Sequence, residues 1–547
     1  MDNIYIILGG IFLITAIASI GMFKGQTSTI KLISAVVFFG IVGFLYIKMP
    51  QSFISTVLPF VIIPAVLVGA LWYLYGGENE AIDKKKLDPV KDLVMKTTKG
   101  EILVKNINAG VLIFGGSGAG KTASVIYPIM HFLQQRTGII YDYKDGELTE
   151  IAIPIFGDRL RMVAVHRADI SKRVNPIAPK YLSDEKAINS IVKVLLDNLN
   201  DTEGGKGGNS FFYDGAESIL SAVILRFKMD YPQYCTLPHV IAFILAVDFL
   251  KKEEPMEFGE VPEAMPKLKN FLTANKRVQI QASPFLLGMG SERQSAAVLS
   301  TLANALRKIA YPDAFWTLSK NEIDLDVNNP ENNSVICFLN EPKNAPAITP
   351  LVACLIETTM KQMMIRNALP SFLLFDEAAT MKFRGLSETV ATMRSFGTAT
   401  IYCAQDISQG IVRYGKDGFR QITANLSTQF FGKSNDPDTA QFYENFMELK
   451  KDKTTSKTSS GAGLFGGGKQ STTKSEREIA KIRKDEFIKF KPGQFAFLSG
   501  GKQKVVQFPN PKIISQALPY TDELRKNIDL NYTEIIEEMM EFAEKNL

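Results

Sequence analysis

The chain has 547 residues, a formal net charge of +5, 46% hydrophobic and 22% charged side chains. That length exceeds one ordinary core and predicts two or three domains, and the composition argues against a disordered or fibrous class. Cys235, Cys337, Cys354 and Cys403 form no Cys-x-x-Cys pair, and the only histidines are His131, His166 and His239. These counts argue against a disulfide framework or a zinc site and place most of the chain in a reducing cytoplasm. So small a net charge allows nucleic-acid binding without requiring it.

The first apolar run, Ile4 to Phe23, is long enough to span a bilayer. Leu32 to Ile47 is shorter and flanked by Lys31 and Lys48, whose stems can snorkel; it reads as a second span or as a re-entrant segment. Val57 to Tyr75 ends in Trp72, Tyr73 and Tyr75, which suit the headgroup layer. Lys24 and Lys31 lie between the first two runs and Lys84, Lys85 and Lys86 follow the third, so the positive-inside rule puts the C-terminal body in the cytoplasm and the N-terminus outside. A cleaved signal peptide fits less well, because the first residues carry Asp2 and no basic residue.

From Ile82 onward the pattern is that of a soluble α/β protein. Val111–Phe114, Ile139–Tyr141, Val335–Phe338, Phe372–Phe375 and Thr400–Cys403 read as buried strands separated by helix-length segments, which predicts a mostly parallel sheet. Between about Ser183 and Asn321 strand signals thin out, and Ala216–Phe227, Val240–Leu250 and Ser295–Ile309 read as helices. The expected divisions are a transmembrane region of two or three helices (1–80), a nucleotide-binding domain (81–182 and 322–520), an all-alpha domain (183–321) that opens near Gly204-Gly205-Lys206-Gly207-Gly208, and an acidic tail (521–547). Thr454 to Ser475, rich in Ser, Thr, Gly and Lys, reads as a mobile loop. In the tail, Ile535, Ile536, Met539, Met540 and Ala543 recur at helical spacing among glutamates, which suits packing on the same chain or docking a partner.

The chemistry concentrates in a few places. Gly115-Gly116-Ser117-Gly118-Ala119-Gly120-Lys121-Thr122 fits G-x-x-x-x-G-K-[ST], after a predicted strand and opening a predicted helix. Glycines let backbone N–H groups close around phosphate oxygens. Lys121 is expected to reach the β- and γ-phosphates of ATP, and the Thr122 hydroxyl to bind Mg2+. Pro128 is expected to kink the helix that follows. Phe372-Leu373-Leu374-Phe375-Asp376-Glu377 is an apolar strand ending in two acids: Asp376 for the Mg2+ shell, Glu377 to polarise the attacking water. Ile139-Ile140-Tyr141-Asp142 competes, as another strand ending in an acid, with Lys144 and Asp145 just beyond. Arg394 at a helix end can reach a neighbouring subunit's nucleotide, and Gln405 at a strand tip can sense the γ-phosphate.

Taken in order, these pieces resemble the type IV secretion coupling proteins, the TraG/TraD-like conjugation ATPases, from about Gly110 to Gly501. Asp142-Tyr143-Lys144-Asp145-Gly146-Glu147 resembles the family's Asp-Pro-Lys-Gly-Glu strand end, with Tyr for Pro and one inserted acid. Asn175-Pro176, Phe211-Phe212-Tyr213-Asp214, Phe375-Asp376-Glu377-Ala378, Arg394 through Gln405, Asn435-Asp436 with Thr439-Ala440, and Pro492-Gly493-Gln494 resemble its later landmarks. The resemblance implies a RecA-like P-loop NTPase domain with an all-alpha inserted domain and N-terminal membrane helices. It implies a homo-hexamer in the bacterial inner membrane that receives single-stranded DNA with its relaxase, or an effector protein, and hands it to other type IV secretion components using ATP. Three apolar runs stand where that family usually has two. A septal double-stranded DNA translocase fits less well, since the chain has no long linker and no separate C-terminal reading domain. A nucleotide-controlled scaffold would not need Glu377.

Overall fold

The structure is a computed structural model that describes residues 2–24, 28–48, 53–75, 82–200, 210–253, 264–288, 292–459 and 470–547. The run Gly204–Gly208 lies outside these residues, and the side chains of Trp72, Tyr73, Tyr75, Phe211 and Phe212 lie outside those described. The chain divides into two compact units, Met1–Leu87 and Asp88–Leu547.

The first unit holds helices Asp2–Lys24, Ser28–Lys48 and Ile63–Tyr75, the last preceded by a π-helical stretch Phe53–Ile62 that contains Pro59. Ala18, Phe38, Leu45, Val57, Val61 and Ile62 form its interior. Its outside is just as apolar: Leu13, Ile17, Leu32, Val36, Phe39, Phe44, Phe60 and Leu67 are all exposed. Among the described residues one helix, Lys31–Lys48, is long and apolar enough to cross a membrane; Ile11–Met22 and Val57–Leu71 are shorter apolar stretches. The middle segment, the shortest of the three by sequence, is thus a continuous helix.

In the second unit a nine-stranded sheet runs β13-β12-β9-β3-β8-β7-β4-β6-β5. Its strands are β3 Val111–Phe114, β4 Thr137–Asp142, β5 Leu160–Val163, β6 Val335–Leu339, β7 Ser371–Phe375, β8 Thr398–Ala404, β9 Thr428–Phe431, β12 Gln494–Ser499 and β13 Lys502–Gln507. The seven strands from β9 to β5 are parallel; β12 and β13 add an antiparallel edge. The five strands read from the sequence all lie here, while β5, β9, β12 and β13 carried no signal strong enough to be read. A small hairpin, β1 Leu93–Thr97 and β2 Gly100–Val104, precedes the sheet.

Both faces of the central strands are buried, as parallel strands require. Alternation assigns Leu112, Phe114, Ile139, Tyr141, Leu373, Phe375 and Tyr402 to one core. Val111, Ile113, Ile140, Phe372, Leu374, Ile401 and Cys403 face the other. The first core is shared with the stretch from Glu185 to Leu318, whose described elements are all helical, from Glu185–Asn200 and Ser210–Asp230 to Pro312–Leu318. All four cysteines are buried and free.

The acidic C-terminal helix, Arg525–Asn546, packs on this helical stretch. The Phe542 ring lies 4.9 Å from Tyr231 and 5.2 Å from Tyr234, and Arg525 pairs with Asp313 at 2.8 Å. His239 sits beneath it, 3.3 Å from Glu538 and hydrogen-bonded to Thr236 at 2.6 Å. Burial lowers the His239 pKa below the ordinary value, with Glu538 opposing. The folded chain therefore keeps this imidazole neutral where the unfolded chain binds a proton, near pH 6.5. Its contribution is complete above that pH and is lost as pH falls, with a slope of at most about 1.4 kcal/mol per pH unit. Protection factors across 525–546, with the intrinsic pH dependence of amide exchange divided out, are accordingly expected to be smaller at pH 5.5 than at pH 7.5, and His239→Gln should flatten that difference.

Two expectations are corrected. Thr454–Ser475 is not a featureless loop: β10 Leu449–Ser459 pairs antiparallel with β11 Gln470–Ala480 over eleven residue pairs, from Leu449↔Ala480 to Ser459↔Gln470, with residues 460–469 outside those described. Threonine-rich polar sequence has the composition of a linker but also β-branched residues that favour extended backbone. Pro128 does not kink a continuous α-helix either. It falls in the first turn of helix Tyr127–Phe132, behind a π-helical turn Thr122–Ile126 closed by the Tyr127 N–H to the Thr122 carbonyl. The wider turn, which offsets hydrogen bonding by one residue, takes the place of a bend.

Candidate nucleotide site

The loop Gly115–Thr122 leaves the C-terminal end of β3, and Asp376 and Glu377 leave the C-terminal end of β7. Strand β8 lies between them and ends one residue before Gln405. Sheet order, rather than sequence, therefore brings Lys121, Asp376, Glu377 and Gln405 together at one edge. The loop is braced from both sides: the Gly116 N–H donates to the Lys433 carbonyl at 2.8 Å, and the Gly493 N–H donates to the Ala119 carbonyl at 2.9 Å. Gly120 has φ 86°, and a Cβ there would come 2.9 Å from the Gly493 nitrogen, so only glycine fits. Ser117 and Gly118 are exposed at the loop's crest.

Glu377 is the centre of the cluster. Only 2% exposed, it accepts a hydrogen bond from Gln405 Nε2 at 3.0 Å, with Lys121 Nζ 3.6 Å and Lys144 Nζ 3.9 Å from the same oxygen. Lys121 Nζ also donates to the Gly115 carbonyl at 2.6 Å. Lys144 additionally lies 3.7 Å from Asp376 and 3.4 Å from Glu147, and the Thr122 hydroxyl donates to Glu147 at 3.4 Å. Burial works against the Lys144 charge, but Asp376, Glu147 and Glu377 more than offset this and raise its pKa.

The two competing acids now separate. Asp142 is fully buried, and its oxygens accept from the Thr149 N–H and hydroxyl (2.8 Å each) and from the Lys144 N–H (3.1 Å). It is occupied in shaping the turn into helix Glu147–Phe156. Asp376 is 2% exposed and its Oδ1 has no partner. Burial pushes the Asp376 carboxyl up to about 7, against the pull of Lys144 and Lys121. A buried acid with an orphaned oxygen, at the same edge of the sheet as the loop that ends in Thr122, has the donor chemistry of an Mg2+ site. Asp376 and Thr122 would hold the ion, which neutralises phosphate charge when bound.

Arg394 is not part of this cluster. It closes helix Leu386–Met393 and is exposed, at the start of β8 rather than its end. Buried Arg136 anchors this edge by donating to the Ser371 carbonyl at 3.2 Å. Seven residues of β8 span about 20 Å, so Arg394 stands at the opposite edge of the sheet from Lys121.

The role of Lys144 is not legible in the sequence, since its chemistry appears only once β4 is placed beside β7. Lys144→Ala is expected to raise the Asp376 pKa further, so that Mg2+-dependent nucleotide binding is lost at a higher pH than in the parent chain as pH falls. Mg2+ titrations of nucleotide binding across pH measure it; an unchanged pH midpoint would show that Lys144 does not tune Asp376.

The sequence profile of a family described as "Type IV secretory system Conjugative DNA transfer" matches residues 77–530. The chain belongs to that family. No curated protein matches the chain by sequence. Solved structures share the fold of this conjugative DNA transfer protein at low identity. A bacterial conjugative coupling protein, TrwBdeltaN70 in its unbound monoclinic form, aligns with TM-score 0.58 and 12% identity over 81% of this chain and 94% of its own. The plasmid coupling protein TrwB bound to the ATP analogue ADPNP aligns with TM-score 0.54 and 12% identity, covering 75% of this chain and 87% of that one. TrwB in complex with ADP and Mg2+ aligns with TM-score 0.52 and 13% identity, covering 75% and 89%.

Proposed function

We propose that this chain is an inner-membrane coupling ATPase that binds ATP with Mg2+ and uses hydrolysis to pass single-stranded DNA with its relaxase, or an effector protein, to a type IV secretion channel. The observation that carries this reading is the convergence of Lys121, Lys144 and Gln405 on a buried Glu377 beside the orphaned oxygen of Asp376, in a chain of the conjugative transfer family. TrwB, whose fold this chain shares, has been crystallised with ADPNP and with ADP and Mg2+.

Residues 115–122 cradle the phosphates, with Lys121 leaving its contacts to Gly115 and Glu377 for the β- and γ-phosphates. Thr122 and Asp376 take the Mg2+. Glu377 accepts the proton of a water that attacks the γ-phosphorus as the bond to the ADP oxygen breaks. Gln405, hydrogen-bonded to Glu377 and seated at the end of β8, reports on the γ-phosphate. Arg394 serves the neighbouring subunit of a homo-hexameric ring. The RecA-like domain takes in 81–182 and 322–520, the all-alpha domain 183–321 and the acidic tail 521–547. The first unit is the membrane anchor, with more than one span: its apolar exterior has no business in water, and lipid is the solvent that suits it.

The test is ATP hydrolysis by the full chain in detergent, against protein concentration, with and without single-stranded DNA. Turnover should rise steeply with concentration and again with DNA. Lys121→Ala should weaken nucleotide binding at least tenfold, and unchanged affinity would remove this assignment of the loop. A protein that binds ATP and stays inactive throughout would be a scaffold.

A further inference from the structure

Glu377 holds an unusual backbone conformation. Its φ of 48° and ψ of 49° put a non-glycine residue in the left-handed region, a strained conformation that persists only where the surroundings enforce it. What enforces it is visible on both sides of the chain. From within the sheet, Asn340 Nδ2 donates to the Tyr141 hydroxyl at 2.9 Å, that hydroxyl lies 2.9 Å from Thr380 Oγ1, and Thr380 Oγ1 donates to the Glu377 carbonyl at 2.8 Å. Because Asn340 can only donate at its end and the carbonyl can only accept, every proton in this row has one direction.

From the other side, the four residues after Thr380 are each gripped from outside. Tyr414, on helix Ile407–Ala424 that follows Gln405, donates to the Met381 carbonyl at 3.0 Å and accepts from the Phe383 N–H at 3.1 Å. Asn198, on helix Glu185–Asn200, accepts from the Lys382 N–H at 3.0 Å and donates to the Lys382 carbonyl at 2.9 Å. Its neighbour Asp197 takes Arg384 in a two-pronged pair, 2.6 Å and 2.9 Å, and accepts from the Tyr213 hydroxyl at 2.8 Å. Asn198 is 2% exposed and Asp197 7%. A side chain that mimics a strand partner, satisfying both polar groups of one residue, holds backbone as tightly as a sheet does.

We infer that Asp197 and Asn198 are positioning residues for Glu377: through Lys382 and Arg384 the helical stretch sets where the Glu377 carboxylate stands, so that a displacement of helix Glu185–Asn200 changes turnover without changing nucleotide affinity. This rests on the proposed hydrolysis, and it supplies a route by which cargo held on the helical stretch would gate it. The same helix ends at Asn200 and the next begins at Ser210, where Tyr213 joins the clamp, so both helices at this corner bear on one segment.

The experiment uses the full chain in detergent, with Asn198→Ala, Arg384→Ala and the exchanged pair Asp197→Arg with Arg384→Asp. Turnover number, nucleotide dissociation constant and hydrogen exchange of residues 378–384 are read for each. Asn198→Ala and Arg384→Ala should lower kcat about 10–100-fold, the scale of an ångström-sized misplacement of a reacting group, with nucleotide affinity within about twofold of wild type and faster exchange at Lys382 and Phe383. The exchanged pair should recover part of what Arg384→Ala loses. Wild-type kcat in Asn198→Ala, or a fall in affinity that keeps pace with kcat, overturns the inference while leaving the ATPase reading standing. Should the unaltered protein hydrolyse nothing, the ATPase reading fails instead, and unchanged exchange at 378–384 in Asn198→Ala then overturns the clamp as well.

Discussion

Glu377→Gln is expected to bind nucleotide like the parent chain and to lose turnover by about 10²–10⁴-fold, the range for removing a positioned general base. The amide is isosteric and can still meet the Gln405 side chain, so the loop should keep its shape. What goes is the ability to accept a proton, and with it the charge that Lys121 and Lys144 share, both within 4 Å of one oxygen. Affinity should therefore hold or improve slightly, since the released cations face the phosphates. A titration of labelled ATP beside a steady-state assay checks both halves. Full turnover in this variant would move the base elsewhere in the cluster, and Glu147, near both Lys144 and Thr122, would be the next carboxylate to test.

Arg394→Ala is expected to have the larger effect, about 10³–10⁵-fold in turnover, the measured scale for a supplied arginine at a phosphoryl transition state. Arg394 is exposed and separated from its own Lys121 by the length of β8, so it cannot serve its own chain's nucleotide. Mixing is the decisive assay. Arg394→Ala and Lys121→Ala proteins are each expected to be inactive alone, yet in mixed assemblies an intact Arg394 from the second can meet an intact loop from the first. Recovered activity on mixing supports service across a subunit boundary; none, in assemblies shown to be mixed, would count against it.

Parts of this site were legible in the sequence because their chemistry demands contiguous residues. A phosphate loop needs its glycines, lysine and threonine in one short run, and a strand ending in two acids is likewise local. Strands β3, β4, β6, β7 and β8 could be read because both their faces are buried, which leaves unbroken apolar runs. The rest depends on neighbours distant in the chain. Lys144 meets Asp376 because β4 lies beside β7, and Gly493 abuts Gly120 because a late loop returns to an early one. Likewise Asn198 and Lys382 are 184 positions apart and joined by two hydrogen bonds. The polar hairpin β10–β11 was misread because serine, threonine, lysine and glycine describe a linker by composition, while strand pairing is satisfied by backbone alone.

The four buried cysteines give the chain an internal clock. Cys235 lies within the helical stretch, its thiol pushed up to about 12 by burial, while Cys337 is central in β6 and Cys403 is the next-to-last residue of β8. None can meet a thiol reagent until its surroundings open, because a reagent needs both access and a thiolate. The order in which they become labelled during slow denaturation would thus record whether helices and sheet come apart together or one after the other, with no probe engineered into the protein.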